Sequence, residues 1–351
     1  MSHKVTLKPS GHTFQVPDGA TILNAGLEAK YIMPYSCKTG VCRTCRGVIE
    51  EGTVDYGMVH PTYLTESDKA EGYALLCAAK PLSDLVITVE ELDGLAGIEP
   101  RLVPARIATI ERPVDDVAVL QLRLHPNENM RFLAGQYVDV LLPDGDTRSY
   151  SIASKPLPDG VIALELHLRH SPGGKFTDHV FSDMQTRDLL RFKGPLGTFY
   201  IREDSRKPIV MVASGTGFAP IKSMCEYLID KEICAERPIT LYWGCRAKQD
   251  LYMLDLPQSW SQDVNGFTFH PVLSEPTQEC DWSGRTGFVH EAVCNDFPDM
   301  SAIQVYACGN PAMIDAARDE FINNCGLPHS EFFADAFLTA LEKNPEAIKT
   351  E

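Results

Sequence analysis

The sequence has no long apolar run: nothing in it approaches the roughly 18 consecutive apolar residues of a membrane-spanning helix. Its first residues, MSHKVTLKPSGHTFQV, contain no apolar stretch of the kind a secretory signal carries. The expectation is a cytoplasmic chain with no membrane partner. Its eleven cysteines then sit in a reducing compartment, which argues against a disulfide framework. Cations are also in short supply, with 32 Lys and Arg against 48 Asp and Glu, a net charge of −16. That argues against a nucleic-acid backbone as partner, because such binding needs Lys and Arg to displace counterions. The acidity fits either plain solubility or electrostatic steering toward protein partners. The rest is ordinary for a globular protein, 44% apolar and 23% charged, and 351 residues suggest two to three domains.

Chemistry first shows in CKTGVCRTC at positions 37–45. Cys37, Cys42 and Cys45 have C-x4-C-x2-C spacing, and Cys77 follows thirty-two positions after Cys45. This is the spacing of a plant-type [2Fe–2S] cluster, in which one loop gives three thiolates and a distant segment the fourth. Gly40 suits a loop whose backbone must pass close to inorganic sulfur. A zinc site would more often show two paired motifs, and here only Cys42 and Cys45 make such a pair. Free thiols are the remaining alternative. Cys225, Cys234, Cys245, Cys280, Cys294 and Cys325 read as free.

Around this loop, 3–8 and 12–16 alternate about a Pro9-Ser10-Gly11 turn and predict a hairpin. Residues 21–30 have helical spacing with Thr21 as N-cap. A strand over 47–51, an acidic helical stretch within 61–76 and a closing strand over 85–90 complete the segment. Residues 1–94 resemble a plant-type ferredoxin domain of the β-grasp fold. Relatives of that type fused to reductases often carry Gly where this chain has Arg43, which adds a charge beside the cysteines. Lys38, Arg43 and Arg46 are candidates for contact with an acidic partner or with the chain's own flavin domain. Residues 95–104 have glycine, prolines and no period, and read as a linker.

From 105 the pattern changes to short strands over 105–111, 117–124, 136–142 and 161–168, with turns at 143–145 and 158–160. This predicts a small antiparallel barrel over 105–205. Arg148-Ser149-Tyr150-Ser151 lies inside it, followed by Gly173-Gly174-Lys175-Phe176-Thr177 ahead of a helix. An aromatic can lie on a flavin ring, a hydroxyl can bond a ring nitrogen, and Arg can neutralise phosphate. Glycines at a helix start offer amides to a pyrophosphate. Each piece alone also fits an ordinary strand or loop. In this order they resemble the FAD domain of the ferredoxin–NAD(P)H reductase superfamily, whose R-x-Y-[ST] element holds the flavin. That resemblance implies FAD rather than FMN, with the GGKFT segment on the pyrophosphate.

The run 209–213, IVMVA, is of the buried parallel-strand kind and opens directly into Ser214-Gly215-Thr216-Gly217 and a helix. A strand, a glycine turn and a helix place amides where a pyrophosphate can bind, although the full G-x-G-x-x-G fingerprint is absent. Strands over 239–244, 266–272 and 303–308 alternate with helices and predict a doubly wound parallel sheet over 206–338. In the resembled superfamily a Cys-Gly such as Cys308-Gly309 lies near the nicotinamide; a buried apolar cysteine is the plain alternative. Phe332, Asp335 and Phe337 resemble the C-terminal F-x-x-D-x-F element of oxygenase reductases. The resemblance makes Phe337 the cover of the flavin, while Phe332 and Phe333 also fit a core. Arg246 and Lys248 could read a 2′-phosphate, but Arg246 also fits NADH-type relatives and no Ser lies in that stretch, so NADH is expected over NADPH. Residues 339–351 read as a loosely ordered tail.

The order of modules resembles the reductase components of bacterial multicomponent oxygenases, both Rieske-type and di-iron. The fold expected is multidomain, α+β and α/β: a β-grasp ferredoxin, an antiparallel barrel and a doubly wound sheet. The resemblance implies an oxidoreductase that passes electrons from NADH to FAD to [2Fe–2S], with Ser151, Cys308 and Phe337 at the hydride-transfer centre. Its partner would be a terminal oxygenase or its small ferredoxin. A deoxysugar dehydratase as acceptor, or a redox sensor, are the alternatives.

Overall fold

A computed structural model of the chain describes residues 2–338 apart from 93, 94, 96, 278 and 279. The segment 339–351, expected as a tail, lies outside the described residues, as do parts of the stretch expected as a linker. The chain divides into two compact units, Met1–Gly97 with Ala334–Glu351, and Ile98–Phe333. The boundary falls inside the last strand, Phe332–Ala336.

The first unit is built on a mixed five-stranded sheet. Its order is Thr13–Pro17, Ser2–Lys8, Leu85–Thr88, Arg46–Glu51, Tyr73–Leu75. The first strand pairs antiparallel with the second and parallel with Leu85–Thr88, so the chain's two ends of the module meet at the centre. Helix Ile22–Glu28 starts as expected at Thr21, whose side chain accepts from the Asn24 amide at 3.4 Å. Its buried Ile22, Leu23 and Ala25 join Val5, Leu7, Phe14, Val16 and Ile87 in one core. This is the β-grasp arrangement: a helix laid over one face of a mixed sheet.

The second unit holds two sheets. The antiparallel one runs Thr147–Ser151, Tyr137–Leu141, Leu189–Leu196, Arg101–Val114, Val117–Leu124, Ala163–Arg169. It curls until its edges touch at the Ile152–Leu166 bridge. Two features depart from expectation. The strand expected from 105 begins at Arg101, inside the stretch read as a linker. Pro104 marks a loop by composition, yet it is exposed within an alternation that buries Val103 and Ala105. Leu189–Leu196 forms a central strand that the Gly194-Pro195 pair concealed.

The other sheet has six strands, and its four central ones are parallel in the order Phe267–Leu273, Ile239–Cys245, Ile209–Ser214, Gln304–Gly309. Chain order runs outward from Ile209–Ser214 on one side and then returns to its other side. The reversal makes a switch point between Ile209–Ser214 and Gln304–Gly309, where open α/β sheets bind ligands at the carboxyl ends of the strands. The two sheets group in one compact unit.

Candidate functional site

The four cysteines come together in the first unit. Strand Arg46–Glu51 pairs with Tyr73–Leu75 in the register Arg46–Leu75, and the Leu76 amide donates to the Cys45 carbonyl at 2.9 Å. This pairing carries Cys77 back to the loop and explains the long spacing to the fourth cysteine. Gly40 has φ +81°, and Lys38 and Arg43 also take left-handed backbone, with φ +57° and +59°. The Thr39 and Cys42 amides donate to Cys37 Sγ at 3.4 Å each. Cys42, Cys45 and Cys77 are buried and Cys37 is half-buried.

The thiols associate in two pairs, Cys37 with Cys42 and Cys45 with Cys77. The bond from the Cys42 thiol, aided by the amides and opposed by burial, pulls Cys37 down to about 5. The partner thiol and burial push Cys42 and Cys45 up. Among the described residues no three His, Cys, Asp or Glu side chains gather as a single metal ion would require. Two pairs of thiols fit a two-iron cluster with two ligands for each iron.

The flanks of the loop are also held within this unit. Ser36 donates to the Asp335 carboxylate, and Thr44 Oγ1 donates to the Ala334 carbonyl at 3.3 Å. Phe337 follows that strand and is half-buried. The three basic residues of the loop have partners of their own. Arg46 pairs with Asp68 at 2.5 Å and lies over the Tyr73 ring, Arg43 donates to the Thr62 carbonyl, and Lys38 lies over Tyr35. A cavity of about 480 Å³ beside the loop is lined by Lys38, Thr39, Asp55, Met58 and Lys80 among others.

In the second unit, Thr147–Ser151 alternates so that Ser149 is exposed, Tyr150 half-buried and Ser151 buried. Ser149 Oγ donates to Asp139 Oδ1 at 2.7 Å. The Tyr150 ring lies 5.5 Å from that of Phe176, so the strand and the GGKFT segment do converge. Burial pushes the Tyr150 phenol up, and it stays neutral. Arg148 Nη1 donates to the Thr147 carbonyl at 2.7 Å. The glycine amides are less available than the sequence suggests. Gly173 donates to Asp178 Oδ2 at 3.0 Å and Gly174 to the Ser171 carbonyl at 2.8 Å. Lys175 Nζ pairs with Asp144 at 2.5 Å and Asp146 at 2.8 Å. The amides left for an anion are those of the first turn of helix Lys175–Ser182, at Lys175, Phe176 and Thr177. A half-buried aromatic beside a helix start fits the ring and the phosphates of a flavin dinucleotide.

At the switch point, Gly215–Gly217 forms a 3₁₀ turn between strand Ile209–Ser214 and helix Phe218–Asp230. A Cβ on Gly217 would lie 2.2 Å from the Cys308 carbonyl oxygen, and one on Gly309, with φ +135°, 2.2 Å from Ser214 Oγ. The two glycines therefore let the strand ends approach one another. Gly309 is required by Ser214 before any ligand is considered. Cys308 is fully buried at the end of its strand, opposite Ala213. Phe332 packs against Phe321, and Phe333 stacks on Tyr306 at 4.9 Å, so both belong to the packing of the fold.

Sequence reasoning missed Trp243, whose indole N–H donates to the Gly215 carbonyl at 3.0 Å. It also missed His167, Lys222 and Tyr252, which join the two sheets. His167 and Glu165 are visible as polar positions in an alternating strand, but nothing local names their partners.

Three family models match the chain: a 2Fe-2S iron-sulfur cluster binding domain over 5–82, an oxidoreductase FAD-binding domain over 104–201 and an oxidoreductase NAD-binding domain over 211–319. A CDP-6-deoxy-L-threo-D-glycero-4-hexulose-3-dehydrase reductase of Yersinia pseudotuberculosis is 43% identical over 96% of this chain and 99% of its own. The reductase component of a Pseudomonas phenol 2-monooxygenase is 32% identical, covering 100% of this chain and 98% of its own. Among solved structures, a cytochrome P450 reductase of Amycolatopsis superposes with a TM-score of 0.75 at 30% identity, over 96% of this chain and 99% of that one.

Proposed function

The chain belongs to the iron–sulfur flavoprotein reductases, with 2Fe-2S, FAD-binding and NAD-binding domains in one polypeptide, and on that premise we propose that it feeds electrons from NADH to a sugar dehydrase. When bound, NADH supplies two electrons as hydride, FAD takes them together and passes them on one at a time, and the cluster carries one. Cys37, Cys42, Cys45 and Cys77 hold the cluster. Arg148, Tyr150 and Ser151, with the first-turn amides of Lys175, Phe176 and Thr177, hold FAD. Gly215, Thr216, Gly217, Cys308 and Gly309 would border the nicotinamide. Tyr150 supplies a neutral aromatic surface, and the buried Ser151 hydroxyl supplies a hydrogen bond out of water's reach.

The observation that carries the relay is the strand pairing that returns Cys77 to the loop of Cys37, Cys42 and Cys45. It makes one unit a one-electron port for a chain whose other unit ends its strands in a nucleotide crevice. The identity to the Yersinia reductase favours a CDP-6-deoxyhexulose 3-dehydrase as acceptor. The lower identity to oxygenase reductases supports the second reading, a hydroxylating oxygenase. Eleven cysteines without a disulfide among them support a cytoplasmic setting. The test is reconstitution. With NADH and the holoprotein, the dehydrase should turn over its CDP-hexulose. Turnover of a phenol hydroxylase component, with none of the dehydrase, supports the second reading.

A further inference from the structure

Strand Ala163–Arg169 turns two different faces to the second unit. Leu164, Leu166 and Leu168 enter the core of the antiparallel sheet. Glu165, His167 and Arg169 point the other way by strand alternation. Each of the three meets a partner from the nucleotide half. Glu165 Oε1 lies 3.1 Å from Lys222 Nζ, His167 Nδ1 lies 2.8 Å from the Tyr252 hydroxyl, and Arg169 Nη1 lies 3.5 Å from Asp250 Oδ1.

The middle contact continues in both directions. His167 Nε2 sits 2.7 Å from Glu165 Oε1, a carboxylate, so Nε2 carries the proton. Nδ1 must then accept, and the Tyr252 hydroxyl donates to it. The Tyr252 ring stands edge-on to Trp243 with centroids 5.3 Å apart, and Trp243 donates to the Gly215 carbonyl at 3.0 Å. Phe218, the first residue of the following helix, stacks on the same indole at 4.0 Å. On the flavin side, the Glu165 carbonyl accepts from the Ala153 amide at 2.8 Å, two residues beyond Ser151. One unbroken path thus joins the strand end at Ser151 to the nucleotide turn at Gly215.

We propose that His167 and Tyr252 are positioning residues for hydride transfer, their hydrogen bond fixing the turn at Gly215 against the strand end at Ser151. The inference deepens the reading above, since it rests on FAD at Ser151 and nicotinamide at Gly215–Gly217. Neither residue touches the reacting atoms. An apolar contact between two sheets tolerates sliding, whereas a buried hydrogen bond weakens steeply with distance and angle. Reacting centres displaced by about 1 Å lose rate on the order of a hundredfold, so a directional tie between their two supports bears on the chemical step.

The test uses the FAD- and cluster-loaded protein mixed anaerobically with NADH in a stopped flow. Tyr252→Phe keeps the ring on Trp243 and removes only the donor. It should lower the limiting rate of flavin bleaching by on the order of tenfold. The NADH dissociation constant should stay within about twofold, as for an interaction that acts on the chemical step. FAD content should match the parent, and the melting temperature should fall by a few degrees at most, the cost of leaving the buried His167 Nδ1 without its donor. Without NADH, amide hydrogen exchange at 214–217 should rise. His167→Leu breaks the same bond and the bond to Glu165 as well, so it should lower the rate at least as far, and the double variant should cost no more than His167→Leu alone, because the Tyr252 bond is already lost there. An unchanged limiting rate overturns the proposal, and so does a rate loss that follows FAD content or comes with no rise in exchange at 214–217. If the parent protein itself fails to bleach with NADH, the functional reading falls, and the proposal with it.

Discussion

Arg43 shows how a single backbone angle bears on the cysteine loop. It holds φ +59° where the resembled reductases often carry glycine. A left-handed L-residue costs about 1–2 kcal/mol, and glycine gives back part of that in chain entropy, about 0.5–1 kcal/mol. Arg43→Gly should therefore raise the stability of the holoprotein by up to about 1 kcal/mol, read from its denaturation midpoint. A lower midpoint would mean that the bond to the Thr62 carbonyl outweighs the strain. At the other site, Gly217→Ala would push a methyl into the Cys308 carbonyl, backbone against backbone. We expect loss of NADH-dependent reduction and a cost of a few kcal/mol, with the cluster spectrum intact. Normal reduction would show that the strand ends can part freely. The cysteines were legible in sequence because a cluster needs four thiols at restricted spacing. His167 and Tyr252 were not, because eighty-five positions separate them and only the packing of two sheets brings them together.

Among elements, those with strong periodicity were readable and those that break propensity rules were not. The apolar run at Ile209–Ser214 and its glycine turn were placed within a residue. Leu189–Leu196 was hidden by Gly194 and Pro195, and the first residues of Arg101–Val114 by Pro104, because neighbouring strands supply the pairing that local propensity withholds. The GGKFT turn was placed correctly as a helix start, but its glycine amides are spent on Asp178 and Ser171, which composition does not reveal.

The helix Phe218–Asp230 gives the clearest energetic expectation at this scale. Its buried Lys222 lies between Glu165 and Glu226, at 3.1 and 2.8 Å. Removing it as Lys222→Met leaves two carboxylates without their cation, a loss of about 3–5 kcal/mol. Burial pushes Glu165 up, but the bond from His167 and the charge of Lys222 outweigh it and hold it at about 2. An unfolded Glu titrates at about 4.3, so this group adds stability above that pH and loses it as the pH falls toward 2. Urea midpoints of the parent should drop over that window, and those of Lys222→Met should drop less. Parallel slopes would show that Lys222 does not hold Glu165 ionised.

On the scale of the whole molecule, the order of three binding modules was legible from motifs, and family models for the same three modules match in that order. The close union of the two sheets of the second unit was not legible. It depends on a polar face of one strand whose partners lie on a helix and a loop far along the chain. The modular reading predicts that Cys42→Ser abolishes the cluster absorbance and spares NADH-dependent bleaching of the flavin. Loss of both in a folded, FAD-bound protein would contradict it.

The function proposed for the chain requires that electrons entering from NADH reach the four-cysteine site. An anaerobic NADH titration of the holoprotein, followed by visible absorbance and by electron paramagnetic resonance, tests it most directly. Flavin bleaching should be accompanied by the signal of a one-electron-reduced [2Fe–2S] cluster. A bleached flavin beside a cluster that stays oxidised, or a spectrum with no cluster bands at all, would contradict it.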